Sequence, residues 1–249
     1  MVNQQLSSAE AYTWQVIQEH YDEIPQLSIT DLAELAHCSL STINRTVRKK
    51  GFSGYAEFRY SIKEKPLPNI NGFSNEVLAA IGKNEEELLR TIHNISALAI
   101  EQAVRAIDQA DEIILFARGL STHAAVEMMK KLQLFHKSVT LHDDYKYMTY
   151  YASFVNENSL IINLSLSGET LELIEATEVA KAHGAKILTL TVTEQSPLVR
   201  LADVSLIGYK STLEVNYFDL DVHSRLPLYI LVRVLFDAYS IYKKTMTNK

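Results

Sequence analysis

Leu160 to Thr170 reads LIINLSLSGET. Its first half, Leu160-Ile161-Ile162-Asn163-Leu164, is a short apolar run of strand length with two β-branched residues. It breaks into Ser165-Leu166-Ser167-Gly168-Glu169-Thr170, after which an apolar helical pattern begins at Leu171. A second run of buried-strand type, Ile187-Leu188-Thr189-Leu190, follows Gly184. Strand, hydroxyl-rich loop, helix, strand is a βαβ unit, with the loop at the carboxyl end of its first strand, where open α/β sheets bind ligands.

The loop has a definite chemistry. Ser165, Ser167 and Thr170 place three hydroxyls within six residues, and Gly168 lets backbone N–H groups approach a ligand. The following helix adds unpaired N–H groups and the positive end of its dipole, so the loop suits an anion, and a phosphate best. It lacks the lysine of a nucleotide P-loop and the repeated glycines of a dinucleotide fingerprint. Taken alone, Ser167 or Thr170 could be no more than a helix cap; the flanking strand and helix favour the pocket.

The same logic recurs upstream. Glu112-Ile113-Ile114-Leu115-Phe116-Ala117 is a buried-type strand that ends in Arg118-Gly119-Leu120-Ser121 before another helix, making Ser121 a second candidate phosphate ligand. Short strands are also expected at Ser138–Leu141, Ile187–Thr191 and Val204–Ile207, with helices near Tyr145–Phe154 and Pro197–Leu201 and a last helix over about Ser224–Lys243. Alternating strands and helices imply a five-stranded parallel sheet flanked by helices on both faces.

The first third is different, all helical in pattern. Ser7-Ser8-Ala9-Glu10 has the form of a capping box, and Trp14, Ile17 and Tyr21 follow at helical spacing. A short helix opens at Ser28. After the tight His37-Cys38-Ser39 connection a third runs from about Leu40 to Lys50, with Gly51 as its stop, and a fourth from Ser53 to about Lys63. Two short helices joined by about three residues form a helix-turn-helix arrangement. Ser39 or Ser41 would cap the third helix, whose exposed face would carry Ser41, Thr42, Asn44, Arg45, Arg48 and Lys49, residue types that read base edges and hold phosphates. Between Arg45 and Lys65 there are seven basic residues against two acidic ones, although the whole chain of 249 residues has a net charge of −6. The bland reading is a solvated basic helix face.

Residues 66–83 include Pro66, Pro68 and Gly72 and read as a linker between a helical domain, 1–65, and an α/β domain, 84–249. Asn84 is expected to cap one long helix whose apolar stripe runs Leu88, Ile92, Ile95, Ala99 and Ala103. A single cysteine, Cys38, excludes a disulfide framework and a cysteine-rich zinc site, and the eight histidines show no paired metal-ligand spacing. No cofactor or metal is expected. The N-terminus has no signal-peptide pattern and no apolar run reaches membrane-spanning length, so a cytoplasmic protein that avoids membranes is expected.

Together these residues resemble a known family. The S-x-S-G-x-T of Ser165 to Thr170 and the G-x-S of Gly119 to Ser121 resemble the phosphate loops of the SIS (sugar isomerase) domain. Ala33, Ser39, Thr42 and Arg45, followed by Gly51-Phe52-Ser53-Gly54-Tyr55, resemble the helix-turn-helix of RpiR-type transcriptional regulators, in that family's order. The resemblance covers nearly the whole chain. It implies an operator-binding homodimer or tetramer on a palindromic site, controlled by a phosphorylated sugar, with Ser121, Ser165, Ser167 and Thr170 as phosphate contacts and Gly168 shaping the loop. Arg118 stands where the family's loop has glycine, either adding a charge-assisted contact or narrowing the pocket. Asn216 to Arg225 (NYFDLDVHSR) also departs from the family pattern, so the sugar stays open.

An alternative is a phosphosugar isomerase or lyase, which needs a general base near the sugar carbon. The candidates are Glu169, Glu172, His123, Asp221 and His223, but no acid–base pair stands out. A third reading is a regulator whose SIS domain only dimerises, against which the intact hydroxyl set argues.

Overall fold

The computed structural model describes residues 6–21, 23–63, 75–213 and 221–247. The chain divides into two compact units, residues 1–81 and 82–249.

The first unit is built from α1 (Ser8–Glu19), α2 (Ile29–Leu35), α3 (Leu40–Lys49) and α4 (Tyr55–Lys63). The first three start on serine. Ser7 and Glu10 form a reciprocal capping box on α1, Ser28 and Asp31 one on α2, and Ser39 Oγ accepts the Thr42 N–H at 3.2 Å on α3. Ser39, of the two candidates, is therefore the cap of α3. His37 takes a left-handed conformation (φ 44°) in the turn between α2 and α3, and Gly51 (φ 98°) ends α3. Trp14, Ile17, Ile24, Leu32, Ile43, Val47 and Phe58 form the core these helices share.

The single long helix expected from Asn84 is two helices, α5 (Asn75–Asn94) and α6 (Ala97–Gln109). Ser96 causes the break: it is extended (ψ 117°) and its side chain accepts the Ala99 N–H, which starts α6 afresh. The helix also begins well before Asn84, so residues 75–83 of the expected linker are helical. Val77, Leu78, Ala79, Ala80 and Ile81 sustain it, and Gly82 within it costs only about 1 kcal/mol. The rest of that linker, 66–74, lies outside the described residues.

The second unit carries β1 (Glu112–Ala117), β2 (Ser138–His142), β3 (Ser159–Leu164), β4 (Lys186–Thr191) and β5 (Val204–Ile207), all parallel, in the order β2-β1-β3-β4-β5. The helices α7 (Ser121–Gln133), α8 (Tyr145–Ala152), α9 (Leu171–Ala182), α10 (Pro197–Leu201) and α11 (Leu226–Thr247) complete it. The alternation along β1, β3 and β4 feeds two cores. Ile113, Leu115, Leu160 and Ile162 pack with residues of α6, α7 and α11, while Ile114, Phe116 and Ile161 pack with α8, α9 and α10. Burial on both faces explains why these strands read as continuous apolar runs. Asn163, a polar residue within β3, is fully buried and hydrogen-bonded to Thr177 and Thr189.

From β1 the chain proceeds to β2 on one side of the sheet; from β3 it proceeds to β4 and β5 on the other. The connections therefore diverge at β1 and β3, and a crevice opens at their carboxyl ends.

Candidate phosphate site and candidate nucleic-acid interface

Both hydroxyl loops open into that crevice, a cavity of about 470 Å³ lined by Ser121, Ser165, Ser167 and Thr170. Ser165 extends β3 and is held in line by its N–H to the Leu190 carbonyl at 3.1 Å. Gly168 adopts φ 68°, which turns the chain back toward α9. Ser165 Oγ accepts the Gly168 N–H (3.1 Å) and Ser167 Oγ accepts the Glu169 N–H (3.2 Å). Each oxygen is thus fixed by the backbone. Thr170 sits at the N-cap of α9 yet makes no capping hydrogen bond; its hydroxyl lies 3.4 Å from Ser165 Oγ. The Ser165 and Thr170 hydroxyls face each other across the loop, and Thr170 does not cap the helix.

The opposite wall comes from the β1–α7 turn. Gly119 (φ 55°) bends it, and Ser121, 3% exposed, opens α7. Arg118 lines the cavity and pairs with Glu172 of α9 at 3.2 Å, so it bridges the two loops' elements across the mouth. Arg225 also lines the cavity, and sequence reasoning did not place it there. Its Nε donates to Ser121 Oγ at 3.2 Å, its Nη1 to the His223 carbonyl at 2.7 Å and to Asp221, and its Nη2 to the other Asp221 oxygen. The only signal for it was the Ser224-Arg225 pair ahead of α11.

Of the candidate bases, His123 and Asp221 line the cavity. Glu169 is exposed, Glu172 is engaged by Arg118, and His223 offers Arg225 its backbone carbonyl. The hydrogen bonds from Arg225 hold the Asp221 carboxyl below the ordinary carboxylate range. The arrangement is chemically an anion site: four hydroxyls, two guanidinium groups and backbone N–H groups at one end of a polar cleft. Among the described residues no cluster of three histidine, cysteine, aspartate or glutamate side chains is placed to hold a metal.

In the helical unit, α3 presents Ser41, Arg45 and Arg48 to solvent. Thr42 is 8% exposed and packs at the cap, within 2.9 Å of Ser39 Oγ. Asn44, Lys49 and Arg48 itself reach partners elsewhere in the unit. Asn44 Oδ1 accepts the Tyr55 N–H at 3.0 Å, tying α3 to α4; Arg48 Nε donates to the Ser53 carbonyl at 2.8 Å; Lys49 Nζ reaches Glu10 of α1 at 2.7 Å.

Comparison with known proteins agrees with both halves. Residues 1–66 match the helix-turn-helix domain of the rpiR family, and residues 106–211 match the SIS domain. The transcriptional regulator HexR of Pseudomonas aeruginosa is 29% identical over 213 residues, 81% of this chain and 74% of that protein. GlvR of Bacillus subtilis is 27% identical over 254 residues, spanning 100% of this chain and 97% of GlvR. Among solved structures, Vibrio vulnificus NanR complexed with ManNAc-6P superposes with a TM-score of 0.60 at 21% identity, covering 98% of this chain and 91% of that one. The sugar isomerase domain of an RpiR transcription factor from Sphaerobacter thermophilus gives 0.62 at 23% identity over 69% of this chain and 93% of that one. Two domain matches in family order, a five-stranded parallel sheet and relatives of near-equal length make one conclusion: this chain is a member of the RpiR-type transcriptional regulators, a helix-turn-helix domain followed by a SIS domain.

Proposed function

We propose that a phosphorylated sugar binds in the crevice between β1 and β3 and thereby sets the affinity of the helical unit for operator DNA. The observation that carries this is the convergence of Ser121, Ser165, Ser167, Thr170 and Arg225 on one cavity, from two loops and the approach to α11. Hydroxyls and guanidinium groups recognise the phosphate; the remaining polar wall, with His123, is left for sugar hydroxyls. NanR, solved with ManNAc-6P, shares the fold, and the transcriptional regulators HexR and GlvR align over 81% and 100% of this chain. The protein acts in the cytoplasm as a homodimer, its two helix-turn-helix units reading a palindrome with half-sites about 10 bp, or a multiple, apart.

The test is a thermal-shift titration of the full chain with a panel of sugar phosphates, each beside its free sugar. Binding to the folded state raises stability by about 2.7 kcal/mol at a hundredfold excess over Kd. One sugar phosphate should shift the melting temperature while its free sugar does not, Ser167→Ala should abolish the shift, and the same compound should change a gel shift on the chain's own promoter. A shift indifferent to the phosphate, or retained in Ser167→Ala, refutes the site. Turnover of the bound sugar would instead favour the isomerase reading.

A further inference from the structure

We propose that Asp221 is a built-in competitor for the ligand: its carboxylate fills the fork of Arg225 that the phosphate takes when the sugar binds. This rests on the reading of the crevice as a phosphate site and adds how that site is tuned.

The two partners of the pair are unequal. The Arg225 side chain is 8% exposed, whereas that of Asp221 is 59% exposed. Arg225 is also held independently of the aspartate, by Ser121 Oγ at 3.2 Å and by the His223 carbonyl at 2.7 Å. If the aspartate leaves, the guanidinium stays where it is. Among the described residues Asp221 has no comparable anchor in the cavity: besides Arg225, its carboxylate accepts the His223 N–H, two residues along its own segment. It can therefore swing into water with little loss.

The geometry of the pair is the second argument. Nη1 and Nη2 each donate to a different oxygen of Asp221, a two-point contact that carboxylate and phosphate oxygens satisfy alike. A phosphate dianion brings twice the charge of the aspartate to the same fork, and it gains the hydroxyls of Ser165, Ser167 and Thr170 besides. Arg225 touches Ser121, so a phosphate held by the serines lies beside the fork. With no ligand, Asp221 keeps a nearly buried guanidinium neutralised. With ligand, the aspartate is released, and its attraction to Arg225 is subtracted from the affinity. The exchange thus sets the concentration at which the sensor responds.

The test titrates inorganic phosphate, at constant ionic strength, into the full chain and four variants, Ser167→Ala, Asp221→Asn, Arg225→Gln and the Asp221→Asn/Arg225→Gln double variant, followed by calorimetry. Asp221→Asn should bind phosphate roughly fivefold more tightly than the parent, the scale of one exposed ion pair. That gain should vanish in the Arg225→Gln background, because the competition runs through the fork. Equal or weaker binding by Asp221→Asn overturns the proposal. So does a gain of the same size without Arg225, which marks general repulsion of the anion instead. In both of those results Ser167→Ala still loses phosphate, which leaves the site itself standing; if no variant and not the parent binds phosphate, the site and the proposal fall together. Should Arg225→Gln unfold, Arg225→Lys keeps the charge without the fork and must likewise lose the gain.

Discussion

Gly168 shows what a single atom costs at this site. At φ 68° any other residue strains its backbone, and an added Cβ would lie 2.6 Å from Ser196 Cβ, far inside contact distance. Gly168→Ala should therefore lower stability by about 2–4 kcal/mol, from the left-handed conformation together with overpacking, and should abolish phosphate binding. Thermal unfolding and a phosphate titration on the same preparation check both. The glycine and its three hydroxyl neighbours were legible because they are consecutive: Ser165, Ser167 and Thr170 fall in one loop, and their types name the chemistry. Arg225 was not legible, because it meets Ser121 across 104 positions of sequence and nothing local marks that meeting. Residue type also failed to give direction on α3. Asn44 and Lys49 are base- and phosphate-reading types, yet their polar ends meet Tyr55 and Glu10.

Among the elements, α3 is tied to α1 by that Lys49–Glu10 pair. Glu10 is 4% exposed, and the hydrogen bond from Lys49, followed by that from the Ser7 backbone, pulls its carboxyl down to about 2. A carboxyl whose folded value is depressed stabilises the fold above its unfolded value, near 4.5, and that contribution is lost as pH falls from there toward 2. The helical unit should accordingly melt earlier in acid over that range. Lys49→Ala, which strands a buried carboxylate, should cost about 3 kcal/mol at neutral pH and flatten the acid dependence. Chemical denaturation at several pH values reads both. The expected continuous helix after residue 84 failed at the same scale. The apolar stripe Leu88, Ile92, Ile95, Ala99 continues through the break, so periodicity saw one helix, while the capping serine between Ile95 and Ala97 was the overlooked stop signal. The strands fared better, since parallel strands buried on both faces announce themselves as unbroken apolar runs.

On the largest scale, the second unit holds its own stretch of α5, from Lys83 onward, by polar contacts in its interior. Glu87 is fully buried, paired with Lys83 at 2.7 Å and accepting the Ser211 N–H at 3.3 Å. Arg90 lies over the Tyr209 ring at 3.6 Å, and Tyr209 donates to Glu86 at 2.6 Å. Thr91 both accepts the Tyr209 N–H and donates to its carbonyl. Thr91→Val keeps the shape and removes both bonds, so it should cost about 1–3 kcal/mol and speed hydrogen exchange at the Tyr209 amide while the strands stay protected. Finally, the strand order carries a consequence for biosynthesis. The helical unit closes on contacts among its own first 63 residues, whereas the crevice needs β1 joined to β3 and then Arg225, which the ribosome supplies only after the last strand. A nascent chain can therefore assemble its DNA-binding fold while the site that answers to metabolism does not yet exist.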